Sequence, residues 1–268
     1  GSVFKLVTAA ALLEEGLGDT TFSCVGSLNA GGLQFHCVNN TAHGALDLNG
    51  AIAQSCNCYF INAARVLGGQ KVLTMAYNLG LGGAQEFGRG LWTASGELPS
   101  LQDLQNTRAL ANFSFGQGEL TVTPLQVCAI LNTIAGDGIS VTPRLILGLV
   151  DEGRELTEQT PSTASSTRVM SVSTARKLQQ AMVQTAQEGT GRAAAPEGVQ
   201  VAIKTGTAQT GVYEGEEELL HFWYCGIVWE GDSPRWCVTV LKESSPDGQE
   251  DAAKAFRQVV QGLADLAE

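Results

Sequence analysis

The 268-residue chain has no apolar run of the ~18 residues that a membrane-spanning helix needs, because even its apolar first stretch stops at Glu14 and Glu15. Basic residues are also scarce. Sixteen Lys and Arg stand against 27 Asp and Glu, for a formal charge of −11, which argues against nucleic acid as a partner, since binding it rests on neutralising phosphates. The longest acidic run, Glu214 to Glu218 with only Gly215 inside it, reads as a solvated loop. Seven cysteines are too few for a disulfide scaffold at this length, and the odd count leaves at least one thiol unpaired or bridged to another chain. Cys56 and Cys58 flank Asn57, but without a second Cys pair or a His nearby in sequence they do not read as a zinc site, and we expect no metal and no cofactor. Neither an internal repeat nor a signal peptide is legible. The chain opens abruptly within what reads as a buried helix, so its N-terminus is expected to be a cut end.

What is there suits one large globular domain: 44% of residues are hydrophobic and 16% charged. Val3 to Glu15 is apolar on nearly every face, with Ser2 before it and Gly16 after it, and predicts a buried helix. Leu46 to Leu67 predicts two helices joined by a turn near Ser55-Cys56-Asn57, and Gly80 to Ser100 a surface excursion. Thr123-Pro124 caps a helix running to Ala135; Val141 to Val150 is expected to be extended, Pro161 to Thr167 a linker, and Ser173 to Glu188 a helix. The last quarter changes period. Val199 to Thr207, His221 to Trp229 and Arg235 to Lys242 predict three strands, two of them forming a hairpin through Gly231 to Pro234. Asp251 to Leu266 returns to helical spacing, with Phe256, Val259, Val260 and Leu263 on one face. The fold class is α+β.

Three short motifs carry chemistry. Ser2-Val3-Phe4-Lys5 places a hydroxyl at a helix start and an amine one turn later on the same face, where the amine can take the hydroxyl proton. On its own this pattern arises about once by chance in such a chain, and Ser2 also suits a plain N-cap. Ser55-Cys56-Asn57 is as common by chance and also suits a helix-breaking turn. Lys204-Thr205-Gly206-Thr207 is rarer, expected well under ~1% of the time. In a strand, Gly206 leaves room for a ligand against the backbone, and two Thr hydroxyls can bind a carboxylate.

The ordered set S-x-x-K, S-x-N, K-T-G resembles the motif triad of penicillin-binding proteins and serine β-lactamases. Further blocks, Phe115-Gly116-Gln117-Gly118 with Thr123-Pro124-Leu125-Gln126, Val141 to Arg144, Glu188-Gly189-Thr190 and Lys204 to Gln209, are similar to class B penicillin-binding proteins and span nearly the whole chain. The resemblance implies an antiparallel sheet flanked by helices with an all-helical subdomain, and a single transpeptidase domain over 1–268 that lacks N-terminal strands. It implies a peptidoglycan D,D-transpeptidase without a cofactor, acylated by β-lactam antibiotics and acting on D-Ala-D-Ala stem peptides. It also implies a place on the extracytoplasmic face of the bacterial cytoplasmic membrane, held by an upstream anchor, with a membrane-embedded glycan polymerase and division or elongation proteins as partners.

Residue by residue, the resemblance makes Ser2 the nucleophile, Lys5 its general base, Ser55 a proton relay and Lys204 the group that tunes it. Asn57 would bind the donor peptide's amide, Thr205 and Thr207 its terminal carboxylate beside Gly206, and the backbone N–H groups of Ser2 and Thr207 the oxyanion. A serine β-lactamase would need a carboxylate to position deacylating water, for which Glu86, Glu97 and Glu119 are candidates by location alone; a β-lactam sensor or an inert scaffold is the other alternative. Ile203 stands where relatives often carry Gly. The residues predict that Cys24 and Cys37 face each other about a turn at Asn29 to Gly32, and the resemblance, through the family's five-stranded sheet, implies that the strand Trp236 to Leu241 has one ladder neighbour within this chain.

Overall fold

The computed structural model describes residues 1–88, 90–146, 148–159 and 166–266. A single 3-10 turn, Ser2–Phe4, leads into helix α1 (Lys5–Glu14). Leu6, Val7, Ala9, Ala10 and Leu12 of α1 are wholly buried, as a helix apolar all round must be. Around it pack α2 (Leu48–Ala53), α3 (Asn57–Leu67), α4 (Gly69–Asn78) and α7 (Val172–Gln187), with α5 (Thr107–Ser114) against α3 and α6 (Pro124–Ala135) against α7 and the main sheet. The start of α6 is fixed by a reciprocal cap: Gln126 N–H donates to Thr123 Oγ1 at 3.1 Å, and Thr123 N–H to Gln126 Oε1 at 2.9 Å.

Four short strands lie between α1 and α2. β1 (Phe22–Cys24) pairs with β4 (Gly44–Leu46), and β2 (Ser27–Ala30) forms a hairpin with β3 (Leu33–His36). The Gly80 to Ser100 excursion carries the small hairpin β5 (Glu86–Gly88) and β6 (Leu91–Trp92). The single extended stretch expected from Val141 to Val150 is instead two strands in separate ladders. β7 (Ile139–Val141) pairs with β10 (Ser166–Arg168), and β8 (Gly148–Val150) with β9 (Leu156–Gln159). The expected linker lies largely outside the described residues.

The main sheet is antiparallel, β11 (Val201–Glu214), β12 (Glu217–Glu230) and β13 (Ser233–Ser245) in that order. Its two faces follow the period of two. Ala202, Trp223, Cys225 and Ile227 join the helical core around α1, while Val201, Ile203, Phe222, Tyr224 and Val238 pack on α8 (Gln249–Asp265). On α8, Phe256 and Val260 are buried and Leu263 half-buried, but Val259 is exposed: at 100° per residue it falls off the edge of the apolar stripe. Among the described residues β13 pairs with β12 alone, as expected. β11 and β12 run further than the sequence suggests, so Gly211 to Leu220 is the end of a hairpin, with a register shift between Gln209 and Tyr213. None of the described helices is long and apolar enough to cross a membrane.

Candidate active site

The N-terminus of α1, the turn between α2 and α3, and the middle of β11 meet at one point. Lys5 Nζ lies 2.9 Å from Ser2 Oγ, 3.0 Å from Ser55 Oγ, 2.6 Å from the Ser55 carbonyl oxygen and 2.7 Å from Asn57 Oδ1. Lys204 Nζ donates to Ser55 Oγ at 3.1 Å and to the Thr205 carbonyl at 2.8 Å. All four residues expected to be catalytic, together with Asn57, are thus brought into one hydrogen-bonded constellation.

Local backbone explains the placement. Ser55 has φ +53°, a left-handed value that a non-glycine residue adopts at a cost of order 1 kcal/mol or more, and this turn aims both its oxygens at Lys5. Cys56 caps α3 by accepting Tyr59 N–H on its sulfur. Asn57 uses both ends of its amide, since Nδ2 donates to the His36 carbonyl at 2.7 Å while Oδ1 accepts from Lys5. On β11, a Cβ at Gly206 would stand 2.9 Å from Val3 Cγ2 and 3.2 Å from Val3 N, so only glycine lets the strand cross the start of the Ser2 turn. Gly116, at φ +83°, lies against the Gly1 carbonyl and Phe4 in the same way.

Both lysines are wholly buried. Burial is the main cause that lowers the Lys5 pKa to about 7, against an opposing pull from the sulfurs of Cys56, Cys37 and Cys58. Its amine also sits 5.9 Å and 6.0 Å from the ring centres of Phe60 and Phe115. Lys204 is pushed well below the ordinary lysine value, first by burial and then by Lys5.

Beside this constellation opens a cleft of about 740 Å³, lined by Ser2, Ser55, Asn57, Thr205, Gly206 and Thr207. Thr205 Oγ1 is 2.7 Å from Thr190 Oγ1, and Gln117 spans to β11, its Nε2 3.3 Å from the Thr207 carbonyl and its Oε1 accepting Gln209 N–H at 3.4 Å. Sequence reasoning misses Thr190 and Gln117 as site residues; the Gly-rich blocks around them are the signal that could have found them. Glu86, Glu97 and Glu119 are not among the cleft-lining residues.

A serine bonded to a buried lysine, with a second buried lysine joined to that lysine through a serine-asparagine turn, is an arrangement for acyl transfer. The family described as penicillin binding protein transpeptidase domain matches residues 1–261. The chain belongs to that family. Penicillin-binding protein PbpB of Mycolicibacterium smegmatis is 33% identical across 98% of this chain and 42% of its own length. A D,D-transpeptidase domain of a peptidoglycan glycosyltransferase from Eggerthella lenta superposes with a TM-score of 0.85 at 26% identity, covering 99% of this chain and 65% of that one. Penicillin-binding protein A of Mycobacterium tuberculosis, solved as a ceftriaxone acyl-enzyme complex, gives 0.84 at 27% identity over 99% of this chain and 60% of that one. This penicillin-binding domain therefore spans less than half the length of PbpB and under two thirds of each of these solved chains.

Proposed function

We propose that this domain is a peptidoglycan D,D-transpeptidase working through an acyl-enzyme on Ser2, and that β-lactams acylate the same hydroxyl. One observation carries the reading: Lys5 Nζ sits 2.9 Å from Ser2 Oγ inside a network that reaches Lys204 through Ser55. The Ser2 proton passes to neutral Lys5 as Oγ attacks the penultimate D-Ala carbonyl carbon. The tetrahedral oxyanion is held by the backbone N–H groups of Ser2 and Thr207. The bond to the terminal D-Ala nitrogen then breaks, and that nitrogen takes the proton through Ser55, whose hydroxyl already bonds both lysines. An acceptor amine attacks the resulting ester, forming the cross-link and returning the proton through the same groups. Thr205 and Thr207, at the cleft beside Ser2, hold the terminal carboxylate of the stem peptide or of the antibiotic. Asn57 orients the donor peptide's amide with its remaining N–H.

The relatives' names support cell-wall synthesis as the setting; on this reading the cleft works outside the cytoplasm, beside a membrane-embedded glycan polymerase. The test is labelling by a fluorescent penicillin followed by peptide mass spectrometry on the full-length protein. An adduct on Ser2 that lasts hours and is abolished in Ser2→Ala is expected; an adduct on another serine, or release within seconds, overturns the reading.

A further inference from the structure

Four buried thiols and one histidine gather directly behind the Ser55-Cys56-Asn57 turn, and the acyl-transfer scheme uses none of them. Cys24, Cys37 and Cys56 are each 3% exposed or less, and their sulfurs and His43 Nδ1 all lie within 4.8 Å of one another. Along the chain, Cys56 and Cys58 have no second Cys pair and no His nearby. The fold supplies both. Pairing of β1 with β4 puts Cys24 opposite Gly44 and so beside His43, and the β2–β3 hairpin returns Cys37 to Cys24, with Cys37 N–H bonded to the Gly26 carbonyl at 2.9 Å. Cys56 comes from the N-terminus of α3.

We infer that Cys24, Cys37, His43 and Cys56 form a tetrahedral zinc site that clamps the β1–β4 segment onto the start of α3 and so holds the Ser55-Asn57 turn in its working position. The distances suit it. Zn–S bonds of ~2.3 Å and a Zn–N bond of ~2.05 Å in a tetrahedron give edges of ~3.8 Å between sulfurs and ~3.6 Å from sulfur to nitrogen. The structure has 3.7 Å for Cys24 to Cys37, 3.8 Å for Cys37 to Cys56 and 3.4 Å for Cys24 to His43 Nδ1. Two thiols in simple contact would show a similar spacing. Three sulfurs and an imidazole nitrogen all within 4.8 Å of one another form the kind of set a cation selects.

The surroundings also favour thiolates. Gly26 N–H donates to Cys24 Sγ and Tyr59 N–H to Cys56 Sγ, both at 3.4 Å, and Cys56 sits at the positive end of an 11-residue helix. Uptake of Zn²⁺ by three thiols and a neutral imidazole releases three protons and leaves one net negative charge for these donors to meet. Cys58, 3.7 Å from Cys37, is outside the group of four. The clamp reaches the catalytic turn through the chain itself. Cys56 is the residue between Ser55 and Asn57, and Cys37 follows His36, whose carbonyl accepts from Asn57 Nδ2 at 2.7 Å. Both residues that Lys5 grips in that turn are thus one peptide bond away from a metal ligand.

The test uses the full-length protein purified without chelator and with thiols protected. Metal analysis should find about one zinc per chain, and cobalt exchanged into the site should give the intense visible bands and sulfur-to-metal charge transfer of a tetrahedral thiolate complex. His43→Ala should weaken zinc binding about ten-fold or more, Cys24→Ser should abolish it, and Cys58→Ala should leave it intact. Stripped of zinc, the protein should acylate a fluorescent penicillin about ten-fold more slowly, and zinc alone should restore the rate. Metal-free protein whose unreduced peptides show a Cys24–Cys37 or Cys37–Cys56 disulfide overturns the site. So does zinc unaffected by His43→Ala, or lost in Cys58→Ala. Normal acylation by stripped, folded protein overturns the clamp. Metal content is read without turnover, so the zinc site stands or falls separately from the transpeptidase reading. Should Cys24→Ser not fold, the wild-type and His43→Ala cobalt spectra decide.

Discussion

Lys204 Nζ and Ser55 Oγ, 149 residues apart in the chain, lie 3.1 Å from each other. This bond joins the sheet to the helical body at the place where the proton must move. Lys204→Met keeps an unbranched stem, one atom shorter, and removes the donor, so the second-order rate of acylation by a fluorescent penicillin should fall about 10²- to 10³-fold, the usual weight of a proton-transfer group. Circular dichroism should be unchanged. A loss under ten-fold would mean that Ser55 is poised without Lys204.

Lys5 titrates near 7 because burial disfavours its charged form. As a general base it acts only when neutral, so acylation should rise with pH through about 7 and level off above it. The stability effect has the same direction. From pH 7 to 10.5 the unfolded chain, with an ordinary lysine, binds a proton that folded Lys5 has lost, so stability rises with pH across that window and the full cost of burying the charge is felt below it. Urea unfolding at pH 7, 8 and 9 should show wild type gaining on Lys5→Met as pH rises. A flat acylation profile from pH 6 to 9 removes Lys5 as the base.

Much of this site was legible because its motifs are short, ordered and local. Ser2 and Lys5 share a helix face, and Lys204 to Thr207 lie in a strand whose β-branched neighbours announce it. The Cys24–Cys37 juxtaposition was legible too, since Gly31 and Gly32 mark the turn between them; both glycines have positive φ. His43 was not. It reaches Cys24 through strands of three residues, too short to display a period of two. The hairpin extension from Gly211 to Leu220 was hidden by its glycines and glutamates, poor strand formers that pairing with each other nevertheless holds extended. Val259 misled because apolar spacing alone does not say where the buried stripe ends.

Gly206→Ala tests how closely β11 is pressed against Ser2. The added Cβ meets Val3 at 2.9 Å on the side chain and 3.2 Å on the backbone nitrogen, and Val3 is itself packed in the core. One of the two elements must shift. We expect a loss of about 1 to 3 kcal/mol in urea unfolding, and a drop in acylation larger than that of a surface control such as Gly262→Ala, where nothing stands within 4 Å. Equal acylation by the two variants would show that strand and turn are not held to one another.

The final expectation concerns β13. Its segment Trp236 to Leu241 pairs with β12 on one side and, among the described residues, with no strand on the other. Val238 is buried and its neighbours Trp236, Cys237, Val240 and Leu241 are half-buried, packed against the core from both faces of the sheet. Natural edge strands are blunted by charge, proline or a bulge. Here Arg235 and Lys242 stand only at the ends of the stretch and Pro234 lies before it, leaving a six-residue stretch whose alternate residues turn N–H and C=O groups to the open side, where they can template another strand. The 268-residue polypeptide by itself should therefore self-associate, with a sedimentation coefficient that rises with concentration. Amides of Trp236 to Leu241 should be more protected from hydrogen exchange in the associated form than in the dilute one. A monomer at every concentration, or protection gained elsewhere, would show that this edge is covered without a second chain.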